Sequence, residues 1–300
     1  PLTKQAQQEA IDLMMANHNL LKPANGEPIT IPNKEMAMGV YYYTSFDDKL
    51  ELFPSVLGSK NEAYHLYQIN KLDLRQKIKV MMRIKDKKQI VETSVGRLLF
   101  NSVLPESLRF INEAVNAKMI KMIVTKAIEL EDNDEVAKMI DAIKDLGFEA
   151  ATRSGLSVSV SDCAMLEEKD QLVSVANQKA ELIRDNYLQG LITDEERRRQ
   201  SLDVWIKITD DLAEKTWATY GDDNSVKVII DSGGTRASKD QVKQLAAMRG
   251  LVVDPLGNIV EMPTKSNFRQ GLSIFEYVTS ARGSRKGLTD SAIKTADAGY

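Results

Sequence analysis

Two helical sequence patterns that follow one another between Leu166 and Trp217 constrain the fold of this chain more than any other feature. Apolar residues recur in both patterns at the spacing of an amphipathic helix. The short sequence TDEE separates them, and in it Thr193 can cap the second helix while Glu196 reaches back to the cap. Long helices joined by so short a turn predict an antiparallel hairpin over residues 166–217. Its outer faces are heavily charged, so we expect it to project into water.

The rest of the chain mixes helical patterns with a few strand-like ones. Residues 111–146 have helical periodicity interrupted by EDNDE, which predicts two helices, the second of them capped by Gly147. Alternating apolar and polar residues predict strands over residues 72–84 and over SGLSVSVSDC, residues 154–163. The sequence MAMGVYYYTS, residues 36–45, fits either a strand or a helix.

Composition places the chain among ordinary soluble globular proteins. Its 300 residues are enough for about two domains, and 43% of them are apolar and 28% charged. Every apolar run is far shorter than the ~18 residues of a membrane span. A turn is expected at Gly96, within TSVGRLLFNSVLP. The predicted fold class is α+β and mostly helical.

Charge and cysteine content exclude several kinds of site. The net charge of −3 excludes a uniformly basic nucleic-acid coat, although residues 267–300 carry five basic side chains against three acidic ones. Cys163 is the single cysteine, which excludes a disulfide framework and a cysteine-built zinc site. His18 and His65 have no serine or cysteine partner at a catalytic spacing, so we interpret both as structural or surface residues.

Two short motifs are typical of metal or anion binding. FDDK, residues 46–49, pairs carboxylates that can share a divalent ion, but a solvated acidic pair is the more common explanation of such a motif. DSGGTRAS, residues 231–238, resembles a phosphate-binding turn, because its glycines let backbone N–H groups approach an anion and Arg236 adds positive charge. It lacks the GxxxxGK[ST] pattern of an NTP-hydrolysing P-loop.

The closing sequence YVTSARGSRKGLTDSAIKTADAGY is a helical pattern that contains glycines. Gly283 and Gly287 each cost about 1 kcal/mol of helix stability relative to alanine. One interpretation is a packed helix whose glycines admit a neighbouring segment. The other is a helix that bends or lets a large ligand approach, with Arg282, Lys286 and Lys294 near one face for phosphates. Composition alone leaves both interpretations open.

Six blocks of sequence, in a fixed order, are similar to one protein family. They are PANGEPITIP with GVYYYTS, TSVGRLLFNSVLP, LGFEAATRSGLSVSVSD, GLITDEER with DVW, SGGTRAS with QLAAMRGLVVDPLGNIVE, and NFRQGLSIFEYVTSARGSRKGLTDSAIKTADAGY. Together they resemble the largest subunit of cellular DNA-directed RNA polymerase, called beta prime in bacteria, along nearly all 300 residues. We therefore expect the chain to be an internal part of that subunit that stops within its closing helix.

The resemblance implies three regions. Residues 1–150 would form a pore-type domain, at the end of the active-site region and in the wall of the secondary channel. Residues 151–266 would form the funnel domain, with the hairpin at its rim and a loop over 232–266. Residues 267–300 would start the cleft region with the first part of the bridge helix. The implied role is to line the nucleotide entry channel and to support the template and the incoming NTP during DNA-templated RNA synthesis.

The resemblance also implies that the catalytic magnesium is held outside this sequence. The family signature NADFDGD, which binds Mg²⁺, is absent from it. Nucleotidyl transfer needs metal ions to activate the 3′-oxygen and to stabilise the pyrophosphate leaving group. No catalytic residue, metal ligand or zinc site is therefore expected here, and we expect the chain to be inactive by itself.

Seven residues match family positions near the substrates. Arg236 matches an arginine near the triphosphate of the incoming NTP, although SGGTRAS is one residue longer than the usual SGARGS. Lys34 stands where the bacterial family commonly has glutamine near the nucleotide sugar. Arg282 and Ser284 depart from the usual His and Ala of the bridge helix. The family positions that contact the template or the hybrid are matched by Arg285, Lys286, Thr295, Ala296 and Tyr300.

The implied partners are those of a whole polymerase. They are the beta, alpha and omega subunits, sigma factor in the holoenzyme, template DNA, nascent RNA and NTPs, with secondary-channel factors at the 166–217 hairpin. The implied location is the cytoplasm, at the nucleoid, without membrane contact. The alternative is a stand-alone helical scaffold or protein-interaction module that binds proteins through its hairpin and has no catalysis. A polymerase segment requires a reading frame that continues on both sides, whereas the scaffold requires a start and a stop codon at the ends of this sequence.

Overall fold

The chain folds as a set of helices with one small sheet. The computed structural model describes residues 3–84, 87–254 and 256–300. Pro1, where the first predicted domain starts, and Pro255, within the expected loop, lie outside the described residues. No helix in the described ranges has the length and hydropathy needed to cross a bilayer. The helices are α1 (Lys4–Glu9, extended by the π-helical turn Ala10–Met14), α2 (Glu35–Thr44), α3 (Lys60–Gln68), α4 (Val95–Ser102), α5 (Ala117–Leu130), α6 (Asn133–Ser154), α7 (Lys169–Leu188), α8 (Asp194–Ala218), α9 (Ser225–Asp231), α10 (Lys239–Val242, extended by the π-helical turn Lys243–Ala247) and α11 (Ile274–Gly299).

One three-stranded sheet provides the β part of the fold. Its strands are β1 (Val56–Leu57), β2 (Ile78–Ile84) and β3 (Lys87–Thr93). β1 pairs in parallel with β2, and β2 pairs with β3 in an antiparallel register that places Ile78 opposite Thr93. Ile78 and Val80 are fully buried, as the alternation of β2 requires. The strand predicted over 72–84 is confirmed for its second half, and the α+β, mostly helical class is confirmed.

Contacts within the chain divide it into two compact units. The first unit comprises Pro1–Ser157 and Asp222–Ala237, and the second comprises Val158–Gly221 and Ser238–Tyr300. The domain boundaries expected after residues 150 and 266 rest on the resemblance and stay predictions. Part of the expected loop 232–266 is helical, because α10 and its π-helical extension lie within it.

In the first unit, α2 and α6 cross at a pair of glycines. A Cβ at Gly39 would lie 2.0 Å from the carbonyl oxygen of Gly147, and a Cβ at Gly147 would lie 2.6 Å from the carbonyl oxygen of Met36. Gly147 is therefore a helix contact point, and its predicted role as a C-terminal cap is wrong. α6 continues to Ser154 and ends at Gly155, whose φ of 56° is that of a left-handed cap.

The turn expected at Gly96 is wrong, because this glycine lies in the first turn of α4. The Ser94 hydroxyl caps that helix by accepting a hydrogen bond from the Arg97 N–H at 3.3 Å. A Cβ at Gly96 would lie 2.0 Å from the carbonyl oxygen of Tyr43, so a close backbone contact explains the glycine. The sequence over 36–45, which fits a strand or a helix, forms α2.

The strand expected over 154–163 is also wrong. A short 3-10 turn forms there, fixed by reciprocal capping bonds between Ser159 and Asp162. Val158 and Val160 are 53% and 72% exposed, so their alternation with serines has no buried face. Strand preference depends on packing against neighbouring strands, and no strand in the described part of the chain pairs with this segment.

The antiparallel hairpin predicted over 166–217 is confirmed in the second unit, where α7 packs against α8. The Thr193 hydroxyl accepts a hydrogen bond from the Glu196 N–H at 3.2 Å, and the Glu196 carboxylate accepts one from the Thr193 N–H at 3.4 Å. Trp205 and Leu212 on α8 are buried in a small core shared with α7. The hairpin therefore combines the predicted capping box with the predicted apolar face.

Candidate functional site

Residues 232–237, which we call the Arg236 loop, follow α9 in the first unit. The carbonyl oxygen of Ser232 accepts a hydrogen bond from the N–H of Ala117, at the start of α5, at 2.8 Å. The hydroxyl of Thr235 donates to a carbonyl oxygen of α9 at 3.3 Å. These bonds anchor the backbone of the loop, while the Arg236 side chain is exposed.

Lys34 lies directly against this loop. Its N–H donates to the carbonyl oxygen of Gly234 at 3.0 Å, and its backbone adopts a φ of 52°. The fit is tight, because a Cβ at Gly234 would lie 2.6 Å from the Cβ of Ala37. The structure thus brings together the two segments that carry the predicted NTP contacts, Lys34 and Arg236.

The side chains of Lys34 and Arg236 are both available to a ligand. Each is exposed, and neither makes a side-chain hydrogen bond or ion pair within the described residues. A guanidinium group with its five donors unused suits bidentate contact with phosphate oxygens, and a lysine adds a second positive charge. Each side chain is therefore free to contact an anion, and both contribute positive charge rather than a proton acceptor.

The acidic pair of FDDK is engaged by cations of the chain itself. Asp48 lies 2.6 Å from Lys77 Nζ, and Asp47 lies 3.9 Å from Arg75. Across the part of the chain that the structure describes, no group of three or more His, Cys, Asp or Glu side chains is placed to hold a metal ion. These residues do not fit a magnesium centre.

The histidines and the cysteine have the surroundings of non-catalytic residues. His18 and His65 are exposed. Cys163 is buried, and this burial raises the pKa of its thiol, which makes the thiol a poor nucleophile at neutral pH.

The helix α11, together with Tyr300 directly after it, carries the residues that match the template contacts. It has 26 residues and is therefore about 39 Å long. Lys286 is half-buried. The exposed matching residues are Arg285, Thr295, Ala296 and Tyr300.

The two glycines of α11 have different surroundings. A Cβ at Gly283 would lie 2.7 Å from the carbonyl oxygen of Val253, so this glycine admits a neighbouring segment. No atom lies within 4 Å of a Cβ built at Gly287. The packed-helix interpretation therefore holds at Gly283, and Gly287 is the position left open for a bend or for the approach of a ligand.

Glu276, at the start of α11, is a residue that sequence reasoning missed. Its carboxylate accepts hydrogen bonds from the N–H groups of Lys265, Ser266 and Ser273 at 2.8, 3.1 and 3.0 Å, and from the Ser266 hydroxyl at 2.8 Å. Burial by itself would raise the pKa of Glu276, but the hydrogen bonds from Ser273 and Ser266 outweigh it and lower the pKa to about 2. The Ser-x-x-Glu pattern before the helix is the signal that could have identified it.

Arg97 was also missed, and it holds three segments of the first unit together. Its Nε donates to the carbonyl oxygen of Thr44 and its Nη1 to that of Asn112, both at 2.7 Å, while the guanidinium lies 3.8 Å from the centre of the Phe46 ring. The side chain is buried, and this burial lowers its pKa, with Glu113 opposing the shift. An arginine inside the apolar run GRLLF is the sequence signal for such a role.

Comparisons with known proteins point to RNA polymerase largest subunits. A family model described as "RNA polymerase Rpb1, domain 3" matches residues 19–163. The "DNA-directed RNA polymerase subunit beta'" of Syntrophomonas wolfei is 40% identical and matches 100% of this chain. Those of Acidothermus cellulolyticus and Sulfurihydrogenibium sp. are 40% and 38% identical, again over 100% of this chain. The chain is therefore similar, along its whole length, to the RNA polymerase largest-subunit family.

The chain spans about a quarter of the polymerase subunits that it matches: 27%, 24% and 20% of the three named relatives. The family model includes Lys34 and ends before the Arg236 loop and α11. The beta prime relatives, which match the whole chain, extend the polymerase similarity to both. The roles of the individual substrate-matching residues stay predictions.

Replacing Glu276 with Gln is expected to destabilise the start of α11 at neutral pH. A carboxylate with a folded pKa of about 2 and an unfolded pKa near 4.5 stabilises the fold above pH 4.5 and loses that contribution as the pH falls toward 2. We expect a loss of about 2 kcal/mol at pH 7, after a discount for partial exposure, and almost none near pH 2. Urea unfolding at several pH values measures it, with Glu181→Gln on the exposed face of α7 as control. A loss that is independent of pH would contradict the role given to the charge.

Proposed function

We propose that this chain acts within a DNA-directed RNA polymerase, where it receives the incoming NTP and supports the DNA template. One observation supports the proposal above all. Lys34 and Arg236, which match substrate positions of the family, are exposed on two segments joined by the Lys34–Gly234 hydrogen bond. Relatives that match the entire chain carry the name of that activity.

We assign to these two residues the role of positioning the nucleotide. Arg236 would donate charge-assisted hydrogen bonds to triphosphate oxygens, and the anchored loop would keep its guanidinium in place. Lys34 would donate to a hydroxyl of the nucleotide sugar. A substrate held in a fixed orientation reacts as if its concentration were far higher. Mg²⁺ in the intact enzyme would supply activation of the 3′-oxygen and stabilisation of the pyrophosphate, with ligands outside this sequence.

The helix α11 would act as the first part of the bridge helix. Thr295 and Ala296 have small side chains, which would leave room for the base pair that contains the template base being copied. Arg285 and Lys286 would neutralise phosphates, and contacts to phosphates position a nucleic acid without reading its sequence. Tyr300 would lie beyond the template base.

The charged hairpin of α7 and α8 would form the rim of the nucleotide funnel and contact secondary-channel factors. The remaining partners would be the beta, alpha and omega subunits, sigma factor, template DNA and nascent RNA, in the cytoplasm at the nucleoid. Since no cluster of carboxylates in the described ranges fits a magnesium centre, we expect the chain by itself to synthesise no RNA.

Arg236→Ala in the intact polymerase is expected to raise the KM for NTPs by roughly 10- to 100-fold, the effect of losing one or two hydrogen bonds to a charged group. Assembly should be unchanged, because the Arg236 side chain is exposed and has no partner within the described residues. Single-nucleotide addition at several NTP concentrations measures the KM. Arg184→Ala, on the exposed face of α7, is the matched control. An unchanged KM in an assembled Arg236→Ala enzyme would remove the assignment.

A further inference from the structure

A cavity of about 330 Å³ lies in the first unit, where α3, β2 and α4 provide most of its lining. That volume is at the small end of the ~300–1,000 Å³ range of small-molecule pockets. None of the lining residues is among those that match substrate positions of the polymerase family. The proposed function therefore leaves this cavity unexplained.

The buried part of the lining offers a ligand apolar contacts but no free hydrogen-bonding group. Leu98 and Asn101 are 3% and 5% exposed. The Asn101 amide donates to the carbonyl oxygens of Arg97 and Ile111, and its oxygen accepts from the Ile111 N–H at 2.8 Å. Because these bonds satisfy the amide, a ligand in the cavity finds no unpaired polar group at Asn101.

Aromatic side chains form part of the walls. Tyr64, on α3, and Phe110 are both half-buried, and Met82, on β2, adds further apolar surface. Burial raises the pKa of Tyr64, so its ring stays uncharged at neutral pH. Rings of this kind pack well against a flat aromatic group, by offset stacking or edge to face.

The exposed part of the lining is basic. Among the described residues, Lys60 and Arg109 line it together with one acid, Glu106. Arg83 also lines it and already makes an interaction within the chain. Lys60 makes no side-chain hydrogen bond or ion pair with any described residue. The Nε of Arg109 is fixed by the carbonyl oxygen of Leu104 at 2.8 Å. Glu106 lies 3.9 Å from Arg109 with a side chain that is 95% exposed, so this ion pair neutralises little of the positive charge.

We propose that this cavity binds a small anion with a flat aromatic body, such as an aryl phosphate or an aryl carboxylate. The aromatic body lies against Tyr64, Phe110 and Met82, and the anionic group pairs with Lys60 and Arg109. A neutral aromatic molecule leaves the charge of Lys60 without a partner among the described residues, and inorganic phosphate leaves the apolar walls uncovered. The inference is independent of the nucleotide role proposed for Arg236.

Phenyl phosphate is the probe for the test, titrated into the intact polymerase and followed by saturation-transfer NMR. A ligand of this size is expected to bind with a Kd of about 1 mM. Ser102→Phe, which fills the cavity from its exposed edge, should abolish this binding. The phenyl phosphate signal that is lost in this variant comes from the cavity, because binding at the nucleotide site would remain. Charge reversal by Lys60→Glu should weaken binding by at least ~10-fold.

The matched control is Lys71→Glu, which makes the same charge change at an exposed lysine that does not line the cavity. It should leave the Kd unchanged, and phenol and inorganic phosphate should each bind at least ~10-fold more weakly than phenyl phosphate. The KM for NTPs should stay the same in all three variants, so failure here leaves the Arg236 proposal standing. Equal phenyl phosphate binding by the Ser102→Phe and unsubstituted enzymes, or equal binding of inorganic phosphate, would overturn the inference.

Discussion

Gly39→Ala is expected to destabilise the first unit by at least ~4 kcal/mol, which is at the exceptional end of single substitutions. The added methyl group would lie 2.0 Å from the carbonyl oxygen of Gly147 and 2.7 Å from the backbone nitrogen of Ala151. Both atoms belong to the backbone of α6, which cannot rotate away as a side chain can. α2 and α6 must therefore separate and loosen the core that contains Val40 and Ile143.

Urea unfolding of the chain, followed by far-UV circular dichroism, measures this loss. Gly287→Ala is the control, because no atom lies within 4 Å of a Cβ built there and an interior helical alanine is worth about 1 kcal/mol more than glycine. The two substitutions should therefore have opposite signs. If Gly39→Ala is too unstable to purify, its soluble yield relative to Gly287→Ala is the readout. A Gly39→Ala chain as stable as the unsubstituted one would show that the two helices do not cross at this point.

Arg97→Met is expected to destabilise the same unit by about 3 kcal/mol. The substitution leaves the buried carbonyl oxygen of Thr44 and the partly buried one of Asn112 without their donors, and a buried acceptor left unpaired costs about 1–3 kcal/mol. It also removes the cation that lies over the Phe46 ring. Arg97→Lys should lose most of the same free energy, because one ammonium group does not reproduce the geometry of two guanidinium donors.

The same unfolding measurement applies to Arg97→Met and Arg97→Lys. Arg184→Met is the matched control, since Arg184 is exposed on α7 and a surface substitution of this kind changes stability by about 0.5 kcal/mol or less. Arg97→Lys with full stability would show that positive charge alone, without the two directed hydrogen bonds, is what the site requires.

Local signals account for the elements that sequence predicted correctly. The hairpin was predictable because its capping box and its apolar face lie within one continuous stretch, and Thr193 and Trp205 do in the structure what their positions indicate. The strand over 154–163 failed because alternation describes a strand only where a neighbouring strand pairs with it. Gly147 and Gly96 were misread for a related reason. Their partners are the backbones of Met36 and Tyr43, far away in sequence.

The candidate site, too, was predictable from the sequence only in part. Arg236 and Lys34 came from resemblance to the polymerase family, residue by residue. That the two segments touch came from the structure alone, because the Lys34–Gly234 hydrogen bond joins residues that no local pattern relates. The structural roles of Arg97 and Glu276 were not predicted, because a charged side chain is usually solvated. Only the hydrogen-bond partners in the folded chain show that these two are structural.

The most direct test of the central claim is to map which residues lie beside the triphosphate of the incoming nucleotide. An NTP that carries a photoreactive group on its γ-phosphate would be bound to a stalled elongation complex of the intact polymerase, irradiated, and the adducts located by mass spectrometry. Adducts in the Arg236 loop, formed only when the nucleotide matches the template base, are the predicted result. Adducts confined to other parts of the polymerase, or equal labelling of the loop by a mismatched nucleotide, would contradict the claim.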